Sequence, residues 1–326
     1  MKKSLIALAV AGAFAAPAMA STSNVDIYGQ VRASVDYIDS DAANTDRWTF
    51  NDQTSRIGIK GSEDLGGGLK AIFQWESQLN TVDSSTVGTT QRNTFVGLAG
   101  GFGTLILGNH DTPYKLGGSA DVFGDTSADA QKNTTGIISR GGWDNRAAGT
   151  IAYVSPTFSG FHVAAAIVPG EQTGASAANG LMDAYSLVAV YENGPLKATL
   201  GYENWDQALI TGATEDKDAA KFNVSYKIGD LGLGATYERA DVRGASTTTD
   251  KAYLLSATYG MGPITLAAQY GNYNTTGSNS DVKRTTLGVI YGLSKRTNAY
   301  AAYNMDNNGG TTADVNVLTM GMNHSF

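Results

Sequence analysis

The sequence has 326 residues and a formal net charge of −7, with 40 glycines, 16 tyrosines, six prolines and no cysteine. The acidic balance argues against nucleic acid as a partner, and the lack of cysteine excludes disulfides and thiolate-bound metals. The many glycines and tyrosines favour an all-β protein with tight turns. No cofactor and no metal are predicted.

The first twenty residues have the pattern of a secretory signal peptide. Lys2 and Lys3 form a basic start, residues 5–16 an apolar middle, and Ala18, Met19 and Ala20 a small-x-small cleavage site. Cleavage removes two lysines and takes the net charge from −7 to −9. The predicted domains are a cleaved signal peptide over 1–20 and one mature domain over 21–326.

No apolar run after the signal peptide approaches the roughly 20 residues that a membrane helix needs. If the mature chain lies in a membrane, it must therefore be a closed barrel, because lipid satisfies no free backbone groups.

The first mature segment, residues 25–37, alternates strictly between apolar and polar positions. Val25, Ile27 and Val31 share one face, and Asp26, Tyr28, Gln30 and Arg32 share the other. Period-2 alternation of this length predicts a strand with one apolar side. A soluble β-sandwich would show the same pattern, so this segment leaves both architectures open.

The next segment, residues 55–76, reads as a strand, a tight glycine turn over 66–68 and a second strand. Arg56 and Lys60 fall on one face of the first strand, with Ile57 and Ile59 on the other. In a sandwich the charged face would lie in solvent, whereas in a membrane barrel it would line a watery lumen.

The connections favour the barrel. Short links, such as 66–68 and 229–230, alternate with long ones, such as 168–182 and 205–218, which is the layout of an outer-membrane barrel. Counting the runs predicts an all-β fold, a sixteen-stranded antiparallel transmembrane β-barrel, wide enough for an aqueous channel.

One connection, residues 109–147, is far longer than the others. Structureless loops of this length are uncommon and are usually functional or disordered. It mixes aspartate, glycine and aromatic residues with the basic pair Arg140 and Arg146 near its end. We predict that it folds into the lumen as a constriction loop and sets the width and charge of a pore.

The later strands repeat this design and mostly end in an aromatic or large aliphatic residue, as expected for an interfacial girdle. The last run, residues 315–326, alternates up to the terminal Phe326. A strand that ends the chain in this way can close a barrel against the first strand.

Four segments and the terminal residue carry a family resemblance. The segments read VDIYGQVRASVDY, SRIGIKGSEDLGGGLKAIFQWE, QRNTFVGLAGGFGTLILGNHDTPY and NRAAGTIAYVSPTFSGF, and the terminal residue is Phe326. Together they resemble the trimeric general diffusion porins of Gram-negative outer membranes, over nearly the whole mature length. The resemblance implies a homotrimer that lets small hydrophilic solutes diffuse passively. It also implies contact with outer-membrane lipid and lipopolysaccharide, and recognition of the C-terminal strand by the barrel-assembly machinery.

The resemblance further implies a charged eyelet with a basic wall. Arg56 and Arg92 match barrel-wall arginines of the family. Arg140 lies where the inward loop returns to the wall, and Arg146 opens the next strand. Arg32 and Lys60 have inward parity, and relatives commonly carry lysine or arginine there.

Opposite the basic wall, the family places carboxylates within the inward loop. The corresponding piece here is residues 121–125, in which Val122 stands at the position of the family's glutamate. Asp121 and Asp125 are therefore the candidates for the acidic side, and the sequence leaves open which of them faces the pore. Asp111 and Asp129 are weaker candidates.

Three other functions have less support in the sequence. Catalysis is not predicted, because His110, His162 and His324 lie far apart in the sequence and suggest no triad. A solute-specific channel would be expected to show a ladder of aromatic residues, and an adhesin would carry its function in the long loops. The acidic mature charge and the basic inward wall have opposite effects on ion preference, so weak selectivity is predicted.

Overall fold

The computed structural model describes residues 23–42, 45–82, 90–132, 135–171, 179–209, 215–243, 248–276, 281–309 and 313–326. The predicted signal peptide over 1–20 lies outside the described residues. Within the described part, no helix is both long and apolar enough to cross a membrane.

The described chain forms one antiparallel sheet of seventeen strand segments. They are β1 (Ser23–Ser40), β2 (Arg47–Asp52), β3 (Arg56–Gly66), β4 (Leu69–Gln78), β5 (Thr94–Gly100), β6 (Gly103–Asp111), β7 (Arg146–Val154), β8 (Phe161–Val168), β9 (Ala184–Asn193), β10 (Leu196–Trp205), β11 (Asp216–Ile228), β12 (Leu231–Arg243), β13 (Thr248–Met261), β14 (Ile264–Thr275), β15 (Asp281–Gly292), β16 (Thr297–Asn307) and β17 (Val315–Ser325). A short helix, α1 (Pro113–Leu116), and a 3₁₀ turn, Gln207–Leu209, lie between strands.

Two of these segments, β2 and β3, are halves of one barrel strand, because both pair with β1. The break at residues 53–55 contains Thr54 in the left-handed region, with φ of 60°. Ser55 bridges the break, since its hydroxyl accepts from the Arg32 backbone N at 2.9 Å and donates to the Arg32 carbonyl at 3.1 Å. The barrel therefore has sixteen strands, which confirms the prediction.

The last strand closes the barrel against the first. β17 pairs with β1 from Ser325 opposite Gln30 to Val315 opposite Ser40. Beyond β17, the backbone N of Phe326 donates to the carbonyl of Gly29 at 3.1 Å, and the carbonyl of Phe326 accepts from the backbone N of Gly29 at 3.2 Å. The terminal residue is thus part of the closing seam, and no strand edge is left free there.

The two faces of the barrel differ as the alternation predicts. On β12, Leu233 and Tyr237 are exposed on the outer face, whereas Thr236 and Glu238 are buried on the inner face. Leu287 and Thr286 show the same contrast on β15. An apolar outer surface with a polar interior is the arrangement that a membrane-embedded barrel requires.

The connection between β6 and β7 folds inside the barrel, as predicted. It spans residues 112–145, slightly less than the predicted 109–147, because Asp111 and Arg146 already pair as strand residues. Most of its large apolar side chains, including Tyr114, Phe123 and Ile137, are buried, and Leu116 is exposed. We call residues 112–145 the inward loop.

The inward loop packs closely against glycines of the inner wall. A Cβ atom at Gly288 would lie 2.7 Å from the Phe123 ring, and one at Gly271 would lie 2.8 Å from Ile137. Contacts this close do not occur between real side chains. Only glycine, which has no Cβ atom, therefore lets the loop approach the wall at these two positions.

Candidate functional site

The first part of the inward loop is fixed by α1 and a wall carboxylate. The Thr112 side chain caps the helix by accepting from the Lys115 backbone N. The Tyr114 hydroxyl donates to Glu238 at 2.6 Å, and its backbone N donates to the Ser186 hydroxyl at 2.8 Å. Burial, and then the neighbouring Glu238, raise the pKa of Tyr114 well above its usual range, so Tyr114 remains a donor.

The returning part of the loop is held by two wall residues. Glu238 accepts from the Ser139 backbone N at 2.8 Å with its second oxygen. The buried Arg284 donates to the carbonyl of Asp129 at 2.7 Å and to that of Thr135 at 3.0 Å. Arg284 also forms a two-point ion pair with Asp306, at 2.5 and 2.7 Å. Glu238 and Arg284 together fix where the loop lies across the lumen.

The middle of the loop meets two arginines of the opposite wall. Asp125 lies 3.1 Å from Arg32 on β1 and 3.5 Å from Arg56 on β3, measured to the arginine Nη1 atoms. Arg32 also donates to the carbonyl of Gly124 at 3.3 Å. Gln30 lies between the two guanidinium groups, and its amide oxygen, turned toward them, accepts at 3.1 Å from each. The Asp125 side chain remains 38% exposed, so its ion pairs with Arg32 and Arg56 face the lumen.

A wall carboxylate, Glu76 on β4, extends the charged cluster. It pairs with Arg92 at 2.6 Å, lies 4.0 Å from Arg56, and accepts from the Tyr28 hydroxyl at 2.9 Å. Arg56 is therefore held between a loop carboxylate and a wall carboxylate. We call the set Arg32, Arg56, Arg92, Glu76 and Asp125 the arginine cluster.

A second group of charges adjoins the arginine cluster. Asp111 pairs with Arg146 at 3.0 Å and with Lys115 at 3.2 Å. Lys115 in turn lies 3.5 Å from Asp144. Arg146 also donates to the Asn93 side chain at 2.9 Å. Two cations and two carboxylates balance here, so this group adds little net charge to the lumen.

The other candidates are not in the arginine cluster. Asp121 is turned into the loop, where it accepts from the backbone N atoms of Phe123 and Ala130 at 2.9 and 3.1 Å. Burial, and then the neighbouring Asp121, raise the pKa of Asp129 well above its usual range. Arg140 packs over the ring of Tyr273, 5.2 Å from its centroid. Lys60 is exposed over the ring of Tyr28, also at 5.2 Å.

Comparison with known proteins identifies the family. The family model described as "Gram-negative porin" matches residues 7–311. The chain belongs to the Gram-negative porin family.

The porin is similar to outer membrane porin protein 32 of Delftia acidovorans, with 34% identity over 92% of this chain and 88% of that protein. Its structure is similar to the anion-selective porin from Comamonas acidovorans, with a TM-score of 0.81, 27% identity, and coverage of 94% of this chain and 100% of that one. The trimer form of OmpT from Vibrio cholerae has the same fold, with a TM-score of 0.68, 20% identity, and coverage of 94% and 100%.

The porin is therefore an outer-membrane protein, and its barrel is a channel for the passive diffusion of small hydrophilic solutes and ions. The structure brings Arg32 and Arg56 into contact with Asp125 and places Arg92 on the neighbouring Glu76. Asp121 and Arg140 lie in other contacts.

Several charged residues that hold the inward loop or the arginine cluster were not candidates from the sequence, among them Glu76, Arg284 and Lys115. Glu76 and Arg284 both have inward parity, so the alternation carried a signal for each. Lys115 lies within the inward loop, where periodicity gives no signal about direction.

We expect Glu76→Gln to shift the ion preference of the porin toward anions. The change removes one negative charge from beside Arg56 and Arg92 and keeps an acceptor for Tyr28. The anion-to-cation permeability ratio should rise by about twofold, or on the order of 0.5 kcal/mol. Reversal potential in a KCl gradient across a planar bilayer measures this ratio. The control is Glu63→Gln, which removes one negative charge from the outer face of β3 and should leave the permeability ratio unchanged.

Proposed function

We propose that the arginine cluster is the pore constriction of this porin and that it passes anions somewhat more readily than cations. The observation that carries the proposal is the approach of Asp125, from the inward loop, to Arg32 and Arg56 of the wall. These carboxylate and guanidinium groups are in direct contact at the edge of the passage, and their summed charge sets the local field that a passing solute meets.

Such a field selects solutes by polarity. A polar solute aligns its dipole and exchanges water hydrogen bonds for those of the wall, whereas an apolar solute must displace ordered water without compensation. Three arginines face two carboxylates in the cluster, so its net charge is positive. The anion selectivity named for the similar Comamonas porin supports the same sign here.

Other charged residues have secondary places in the proposal. Lys60 would add positive charge to the lumen on the side of the short turns. Arg146 and Lys115 would form a nearly neutral second group with Asp111 and Asp144. Asp121 would shape the loop, and Arg140 would hold its returning part on Tyr273.

We infer a general channel, without catalysis and without a dedicated solute. A dedicated solute channel would need a ladder of aromatic residues along the pore. Three of the candidates, Tyr114, Phe123 and Trp143, are instead buried between the loop and the wall. The matched family and relatives are porins, which supports a channel rather than an enzyme.

We also infer that three copies assemble and that lipid and lipopolysaccharide cover the remaining outer surface. A trimer form exists for OmpT, which has the same fold. The apolar outer wall needs a cover other than water. Phe326, partly exposed at the closing seam, would be the residue that the barrel-assembly machinery recognises.

The experiment that tests the constriction is the double variant Arg56→Ala, Arg92→Ala. Loss of two lumen cations should shift the reversal potential in a KCl gradient toward cation preference. The permeability ratio should change by about threefold to tenfold, or roughly 0.7–1.4 kcal/mol.

The matched control is Lys295→Ala, Arg296→Ala, which removes two cations from an exposed turn at the rim. Rim charges farther than about 10 Å from the passage are screened by salt, so this control should keep the wild-type ratio. A double variant with an unchanged ratio would remove Arg56 and Arg92 from the constriction.

A further inference from the structure

Basic side chains on the outer face of the barrel collect at one place. Among the described side chains of the strands, the outward-facing lysines and arginines are Arg239 on β12, Lys251 on β13 and Lys283 on β15. Each is exposed and shares the outer face with lipid-facing residues of its strand, such as Tyr253 and Leu287. All other described strand cations have inward parity.

The register brings these residues together. Arg239 pairs directly with Lys251. Across β14, Lys251 is opposite Asn274, and Lys283 is opposite Asn272. With strands about 4.8 Å apart and about 3.4 Å per residue, the Cα atoms of the two lysines lie roughly 12 Å apart. Long lysine side chains can converge over this distance, with the two asparagine amides between them. We call these five residues the outer basic patch.

Two carboxylates border the outer basic patch without neutralising it. Asp241 pairs with Arg239 at 3.1 Å, and Asp281 accepts from Asn274 at 2.5 Å. Lys251 and Lys283 form no ion pair within the described part of the chain. Two flexible cations are therefore available to a partner outside the barrel.

The height of the patch matches the headgroup region. Tyr253 pairs with Tyr237 immediately below Arg239 and Lys251, and its ring lies 6.1 Å from that of Tyr270. Exposed tyrosines at a strand end mark the level at which hydrocarbon gives way to headgroups. Lys251 stands two residues, about 7 Å, beyond Tyr253 along β13, whereas Lys283 is level with Tyr253, because both are opposite Asn272. The patch lies at the end of the long connections, which in outer-membrane barrels is the extracellular end.

We propose, on the basis of the lipid contact inferred above, that Lys251 and Lys283 bind a phosphate group of an outer-leaflet lipid. The negative charge of a phosphate group would pair with the two lysines, which have no carboxylate partner in the described part of the chain. The asparagine amides donate further hydrogen bonds to the phosphate oxygens. The tyrosines below contact the acyl chains of the same lipid.

The test is native mass spectrometry of the detergent-purified porin titrated with bisphosphorylated lipid A. Lys251→Gln, Lys283→Gln should weaken lipid binding by about fivefold per lysine, or roughly 25-fold for the pair. The matched control is Lys70→Gln, Lys227→Gln, two lysines of inward parity, which should change the affinity less than about twofold.

Two further arms identify the ligand. Dephosphorylated lipid A should bind the wild type as weakly as it binds the double variant, and inorganic phosphate at equal concentration should not displace the lipid. Equal lipid affinity of the double variant and the wild type, equal weakening by the control, or displacement by free phosphate would each overturn the proposal. Planar-bilayer conductance of the same samples should stay at the wild-type value, which separates a lost lipid site from a lost channel.

Discussion

Arg284→Met is expected to release the returning part of the inward loop and to give a wider, noisier channel. The guanidinium now joins Asp306 of the wall to the carbonyls of Asp129 and Thr135 in the loop. Methionine fills a similar volume and removes every one of these bonds. Breaking a buried ion pair by removing one partner costs about 3–5 kcal/mol, because the remaining carboxylate and carbonyls are left unsatisfied.

The substitution should destabilise the position of the inward loop and leave the barrel folded. The sixteen-stranded ladder does not pass through the Arg284 side chain, and the seam between β1 and β17 is untouched. We therefore expect a folded channel whose single-channel current rises and fluctuates. Limited proteolysis should also cut more readily at Ile137, Ile138 and Ser139, which are buried in the wild type.

A graded series separates the loss of hydrogen bonds from the loss of charge. Arg284→Lys keeps the positive charge beside Asp306 but cannot reach two carbonyls and a carboxylate at once. It should give an intermediate current. A current in Arg284→Met as quiet and as small as that of the wild type would show that Arg284 does not hold the loop.

The sequence predicts the barrel well because its determinants are local. Alternation in residues 25–37 decides which side chains face inward, and the lengths of the links decide which strands are neighbours. The sequence did not predict the break between β2 and β3. It depends on Thr54 adopting a left-handed conformation, which the residue type does not suggest.

The acidic side of the site is not predictable in the same way. Asp121 and Asp125 are equivalent by composition, and the path of the loop decides between them. Asp125 has a positive φ of 56° and meets Arg32, whereas Asp121 binds backbone N atoms of its own loop. Arg284 illustrates the same difficulty, since its loop partners lie about 150 residues earlier in the chain. Periodicity indicates that a side chain points inward, but not what it meets there.

Phe123→Ala is expected to detach the middle of the inward loop from the wall. The Phe123 ring is 2% exposed and packs with Ala128, Ala267 and Ala302, against Gly288 on the inner wall of the barrel. Truncation of a buried phenylalanine costs about 3–5 kcal/mol. Because Asp125 is two residues away, its contact with Arg32 should be lost with the packing. The channel should then conduct more current and shift toward anions, measured as single-channel conductance and reversal potential.

Phe158→Ala supplies the matched control, because Phe158 is 80% exposed in a short turn and its truncation should change neither quantity. Gly288→Ala tests the contact between the wall and the Phe123 ring. A Cβ atom there would lie 2.7 Å from the ring, 2.7 Å from the Ala301 carbonyl and 2.9 Å from the Ala302 side chain, so it should disturb the loop in the wild type. In Phe123→Ala the first of these three clashes is gone, so Gly288→Ala should change the conductance less than it does in the wild type, which would show a direct coupling. Equal effects in the two backgrounds would show that the loop is held elsewhere, by Tyr114 and Arg284, and that the packing of Phe123 does not set the width of the pore.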